Sequence, residues 1–179
     1  IMSSSFMEPF WYDLESPFVD AGNEGWMSCP FVDFVGESLD LDVIPPTLTQ
    51  LQCIRCSSCE PGDLLRAARC AAVAPNLRGI CVLGPLQDTD EVRAFAMAFR
   101  STPLLREVSI VFGDCDNDDA MRMLFDSLQC LRLTAVRLVS RATFASNGRM
   151  GELFCAYLQG AESLISIEVD LDDDTVPDS

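Results

Sequence analysis

The chain has 179 residues, 49% of them hydrophobic, and a formal net charge of −16 from 28 acids against 12 bases. That balance argues against nucleic acid, whose binding rests on neutralising phosphates with basic side chains, and against an anionic membrane surface. All 12 bases are Arg and there is no His, so His-dependent triads, Cys–His dyads and His metal sites are excluded.

The length supports one compact domain with an extension. No apolar run reaches the ~18 residues that cross a bilayer, so no direct membrane insertion is expected. No basic-then-apolar signal opens the chain. It reads as intracellular, soluble or peripheral in a complex, with an organelle left open because the first residue is Ile1 rather than Met. Nine Cys in such a chain point to reduced, mostly buried thiols. The missing Lys has two readings, the codon usage of a GC-rich genome or selection against lysine modification.

Residues 1–46 hold nine acids, no base and eight of the 15 aromatic residues. Residues 1–30 read as an extended acidic and aromatic arm, with Phe10, Trp11 and Tyr12 as its contact residues. Residues 31–46 read as an N-terminal cap, with a short alternating strand over 39–43 before Pro45 and Pro46.

From residue 47 the chain repeats. The pattern L-x-x-L-x-L, with any aliphatic residue or Cys at the apolar places, occurs at Leu48–Leu51–Cys53, Leu77–Ile80–Val82, Leu105–Val108–Ile110, Leu133–Val136–Leu138 and Leu164–Ile167–Val169. Its starts are 29, 28, 28 and 31 positions apart. Between the matches, apolar residues fall at helical spacing: Leu64, Leu65 and Ala68; Val92, Phe95, Ala96 and Phe99; Met121, Leu124, Phe125 and Leu128; Met150, Leu153, Phe154, Tyr157 and Leu158. Asp63, Asp90, Asp118 or Asp119, and Asn147 are the expected N-caps, with Pro75, Pro103 and Gly160 as stops. One such unit cannot bury its own apolar face, whereas stacked units share one. The expected architecture is α/β, with five parallel strands on a concave face, four helices on a convex face, and an acidic tail at 173–179.

These motifs resemble the leucine-rich-repeat family, in particular its ribonuclease-inhibitor-like branch of ~28-residue repeats with full helices. The resemblance covers residues 47–172. Behind the strands, where the family carries Asn or Cys, stand Cys56, Pro85, Gly113, Arg141 and Asp172, of which only Cys56 fits. The resemblance implies a solenoid that recognises protein on its concave face and has no shared catalysis.

The most chemical motif is Cys53–Cys56–Cys59, part of an iron–sulfur pattern or half of a zinc site. In the repeat register above, Cys53 and Cys56 are structural positions instead. Asp114 to Asp119 faintly resembles a calcium loop but lacks the Gly and Glu that one requires. No metal and no cofactor is therefore expected.

Strand alternation then selects the concave residues. Gln52, Ser109, Arg137, Glu168 and Glu107 are expected to present polar groups. Ile54, Leu83, Val111 and Val139 are expected to form an apolar ladder, either exposed for a partner, buried under the loops, or covered by the aromatic arm. The leading functional reading is a non-catalytic protein-interaction or scaffold module, a subunit of a larger assembly with a basic protein partner. The alternatives are a substrate receptor of a ubiquitin ligase, which would suit the missing Lys, and a metal or redox protein using the Cys run.

Overall fold

A computed structural model of the chain describes residues 18–35, 44–57, 62–113, 117–140 and 148–171. Along them run β1 (Val19–Asp20), a single 3-10 turn (Trp26–Ser28), β2 (Phe31–Phe34), β3 (Cys53–Cys56), α1 (Asp63–Ala72), β4 (Gly79–Leu86), α2 (Thr89–Arg100), β5 (Glu107–Phe112), α3 (Asp118–Gln129), β6 (Ala135–Ser140), α4 (Gly148–Gly160) and β7 (Ser166–Leu171). The seven strands form one sheet in sequence order, and every neighbouring pair is parallel. The fold is α/β.

A parallel neighbour requires the chain to return to its starting end before the next strand. Helices α1 to α4 are those returns from β3 onward, and each packs on the next. Their apolar stripes and every second strand residue share one core. Val32, Ile54, Ile80, Val108 and Val136 lie along one register row of it, and Phe34, Cys56, Val82, Ile110 and Leu138 along another. Phe125 of α3 ties the layers together. Its ring lies 6.1 Å from Phe112 of β5, 6.4 Å from Phe154 of α4 and 6.1 Å from Tyr157 of α4.

One backbone turn recurs before each strand from β3 to β7. The carbonyls of Pro30, Gln52, Arg78, Arg106 and Thr134 each accept two amides from the start of the next strand, at 2.7–3.2 Å. The pairs of donors are Gln52 and Cys53, Arg78 and Gly79, Arg106 and Glu107, Thr134 and Ala135, and Ile165 and Ser166. This satisfies backbone groups that would otherwise be orphaned at the strand entry. Side chains reinforce the same edge: Asn76 Nδ2 donates to the Thr49 carbonyl at 2.8 Å, and Ser163 Oγ donates to the Leu133 carbonyl at 2.8 Å.

That turn corrects the first repeat. Leu48, Leu51 and Ile54 are spaced by three, so the sequence pattern fits starting at either Leu48 or Leu51. The pairing of Cys53 with Gly79 and of Ile54 with Ile80 selects Leu51–Ile54–Cys56. Ile54 is therefore in the helix-side core, not on an apolar ladder; Cys56 takes the inward place expected of Cys53, and Cys53 falls on the opposite face at the start of β3 rather than behind the strand. Arg55, not Gln52, holds the central place on the helix-free face.

The sheet also begins earlier than residue 47. Strands β1 and β2 lie in the stretches read as arm and cap, where Val32, Phe34 and Trp26 are buried and Trp26 packs edge-on to Phe34 at 6.2 Å. Burying these apolar groups covers the open flank of β3, and the arm reading does not hold for residues 18–30. The anticipated strand over 39–43, Asn147 and the tail at 173–179 lie outside the described residues. Helix starts shift slightly. Gly62 at φ 92° precedes α1, Asp88 caps α2 through the Asp90 and Glu91 amides, and Asn117 caps α3 through the Ala120 amide.

The ladder fails at β4 as well. The register slips between Val82 and Pro85, so Val111 pairs with Pro85 rather than with Leu83. Val111 and Val139 are only 4% and 8% exposed. The double substitution Val111→Asp with Val139→Asp is expected to cost more than about 3 kcal/mol, because it buries two unpaired carboxylates on adjacent strands. Urea unfolding monitored by circular dichroism measures it, and a loss below about 1 kcal/mol would show that these positions open to solvent.

Candidate functional site

Among the described residues, the helices occupy one face of the sheet and leave the other without a helical layer. Alternation puts three register rows on this second face, one of them the apolar row of Pro85, Val111 and Val139. The first runs Phe31, Cys53, Gly79, Glu107, Ala135 and Ser166, and the second runs Asp33, Arg55, Cys81, Ser109, Arg137 and Glu168. A small separate apolar cluster of Cys81, Ala135 and Leu83 sits at its centre.

A built polar network stands at the β2–β3 corner. The buried Asp33 carboxylate accepts from Arg55 Nε at 2.6 Å, from the Ser57 amide at 3.1 Å and from Ser57 Oγ at 2.8 Å. Three donors compensate the desolvation of this charge. The Arg55 guanidinium also stacks 4.2 Å above the ring centroid of Phe18, and Phe18 meets Phe31 edge-on at 5.8 Å. The segment entering β1 is thereby fixed to the helix-free face by a cation–π contact.

The centre of the face is less polar than its composition suggests. Burial pushes the Cys81 thiol up, against the Ser109 hydroxyl and the Arg137 and Arg55 guanidiniums, which pull it down. Burial likewise raises Cys53 to about 12, with nearby Glu107 adding to the rise. These thiols stay protonated at neutral pH and are poor nucleophiles.

Of the residues singled out from the sequence, Glu107, Ser109, Arg137 and Glu168 fall on the first two rows, with Ser109 fully buried and Glu107 and Arg137 half-buried. Gln52 is exposed at the entry to β3. Leu83 packs against Cys81 and Ala135, Val111 and Val139 are buried, and Ile54 belongs to the helix side. Phe10, Trp11 and Tyr12 lie outside the described residues. The structure adds Asp33, Arg55 and Ser57. Reading the first repeat from Leu51 would have placed Arg55 on the face; nothing local links it to Asp33, 22 residues earlier.

The Cys run does not converge. Cys56 is in the helix-side core, whereas Cys53 is three residues earlier on the same strand and on the opposite face. Two thiols on opposite faces cannot share one ion, and Cys59 lies outside the described residues. Among the described residues no group of three or more His, Cys, Asp or Glu side chains is arranged to hold a metal. No described helix is long and apolar enough to cross a membrane.

No protein-family model, no curated protein and no solved structure matches this chain.

Two measurements test the site. Asp33→Ala is expected to lower stability by about 3 kcal/mol, since it strands the Arg55 guanidinium and leaves Ser57 without its acceptor; denaturant unfolding with a loss under about 1 kcal/mol would reduce the network to a surface pair. Stability should also fall at alkaline pH. Cys53 and Cys70 rise from 9.0 to about 12 on folding, so between those values the folded state binds more protons than the unfolded one. Their contribution is complete below pH 9 and lost towards pH 12. Thermal melting across that interval should show a falling midpoint, and a flat profile would contradict the burial of these thiols.

Proposed function

We propose that the protein is a leucine-rich-repeat solenoid of the ribonuclease-inhibitor-like type that works as a non-catalytic recognition or scaffold module. Its partner is another protein, and the chain is one subunit of a larger assembly. The observation that carries this reading is the helix-free face, on which two register rows align side chains of mixed charge across successive strands. Repetition at ~28 residues, sequence-ordered parallel strands and a one-sided helical layer support the solenoid.

The chemistry of the face supports binding over catalysis. Its thiols are held protonated, its central hydroxyl is buried, and the chain has no His to act as a base near neutral pH. Charged groups such as Glu107 and Arg137 are of the kind that set the orientation and specificity of a protein partner. With a net charge of −16, the chain attracts basic partners by long-range steering.

A native pull-down with mass spectrometry tests the reading, comparing the unaltered chain with Gln52→Arg and Arg137→Glu. Gln52 is exposed, so its substitution leaves folding unaffected. Recovery of the captured protein should drop about tenfold or more with at least one variant at an unchanged melting temperature. Undiminished capture by both would place recognition elsewhere and refute the proposal.

A further inference from the structure

We infer that the rim on which the strands begin is an interaction surface for an acidic segment of a partner protein, held by Arg78, Arg100, Arg106 and Arg132 beside the exposed Leu104. This rim is separate from the helix-free face, and binding to it does not depend on recognition there.

Parallel strands all begin on one rim of the sheet, and α1 to α3 end there. Three turns on that rim, residues 73–78, 100–106 and 129–134, hold four Arg and no acid, in a chain whose acids outnumber its bases by 28 to 12. The opposite rim carries Asp88, Asp90, Glu91, Asp118 and Asp119 at the starts of α2 and α3. Helix dipoles favour this sorting, but their effect falls off within the last turn. Of the four arginines only Arg100 lies in a last helical turn, so the dipole does not account for Arg78, Arg106 and Arg132.

The turns stack, and the arginines stack with them. The Arg78 carbonyl accepts the Arg106 amide at 2.8 Å, and the Arg106 carbonyl accepts the Thr134 amide at 2.7 Å. Arg78, Arg106 and the turn of Arg132 therefore follow one another at strand spacings of ~4.8 Å, where like charges repel. The ion pairs among the described residues, Arg55–Asp33, Arg66–Asp63 and Arg93–Asp90, involve none of the four. Glu107, next to Arg106 in the chain, belongs to a row of the helix-free face, and the first acid along the rim is Glu162 in the turn before β7. Arg106 Nη1 donates to the Pro103 and Leu105 carbonyls at 3.2 and 2.8 Å, which fixes its guanidinium on the rim. Arg78, Arg100 and Arg132 are exposed, and Leu104 in the middle turn is 42% exposed.

Charge selects the occupant. Each guanidinium is a planar fork that matches a carboxylate through two hydrogen bonds, and Leu104 adds an apolar contact beside them. The complement is a short run of Asp or Glu that carries one leucine-sized side chain. Nucleic acid is disfavoured, because its affinity rests on neutralising many phosphates and the whole chain carries a net charge of −16. That same net charge repels an acidic protein only at long range. At physiological salt exposed charges more than about 8 Å apart are largely screened, so a segment seated on the rim meets the arginines and not the distant acids.

The test uses the whole chain and fluorescence anisotropy with a short labelled peptide of glutamates around a central leucine. Saturable binding at physiological salt is expected. Arg78→Glu combined with Arg132→Glu should weaken it about tenfold or more with an unchanged melting curve, since both side chains are exposed; if that variant misfolds, Arg132→Glu alone decides. Arg93→Glu, at an exposed site that pairs with Asp90 towards the opposite rim, should leave the affinity as it is. Leu104→Ser should weaken binding of this peptide but not of one with serine in place of the leucine. No saturable binding overturns the inference, and so does an equal loss with Arg93→Glu, which would mean overall charge alone. Tighter binding of a single-stranded oligonucleotide than of the peptide would overturn the choice of partner. A dimer seen by sedimentation and dissolved by the double variant would assign the rim to the acidic rim of a second copy instead.

Discussion

Everything in this structure depends on each strand lying parallel to the one before it and directly beside it. A parallel neighbour can be reached only by a crossover, and right-twisted strands accept crossovers of one hand. Repeating that connection from β3 to β7 puts α1 to α4 on the same face and in contact with one another. The two faces of one sheet consequently meet different solvents. One is fully apolar under the helices, and the other is left to be finished by its own side chains.

The shared carbonyl turn makes this repetition accurate. Each of five carbonyls fixes where the next strand begins, so a side-chain type placed at one position is repeated across the sheet at the strand spacing of ~4.8 Å. Apolar rows obtained in this way build a continuous core from units too small to bury their own surface. The helix-free face shows how the same registry handles polarity. Asp33 is buried there with three donors, while small residues such as Gly79, Ala135 and Ser109 keep the centre of the rows thin. The conflict between burial and charge is resolved at the β2–β3 corner by hydrogen bonding rather than by exposure.

The two ends of the stack are treated differently. At the beginning, the short β1 and β2 strands, Trp26 and the Phe18–Arg55 contact cover β3. At the other end, Ile167 of β7 is 42% exposed although its register counterparts Ile54, Ile80, Val108 and Val136 are fully buried.

The sequence alone determined the alternation of strands and helices from residue 77 onward, because periods of 2 and 3.6 are local properties that each segment carries by itself. Glu107, Ser109, Arg137 and Glu168 could be placed on their rows for the same reason. Tertiary structure decided what periodicity leaves degenerate. Leu48, Leu51 and Ile54 satisfy the repeat in two registers, and only amide pairing across strands chose between them. Two- and four-residue strands such as β1 and β2 are too short to show a period, and they form because β3 and the core supply partners. The Asp33–Arg55 pair spans 22 residues, so it exists only once two strands are aligned. The opposed directions of Cys53 and Cys56 likewise follow from a strand, and that strand geometry, not the cysteine spacing, settled which chemistry they could share.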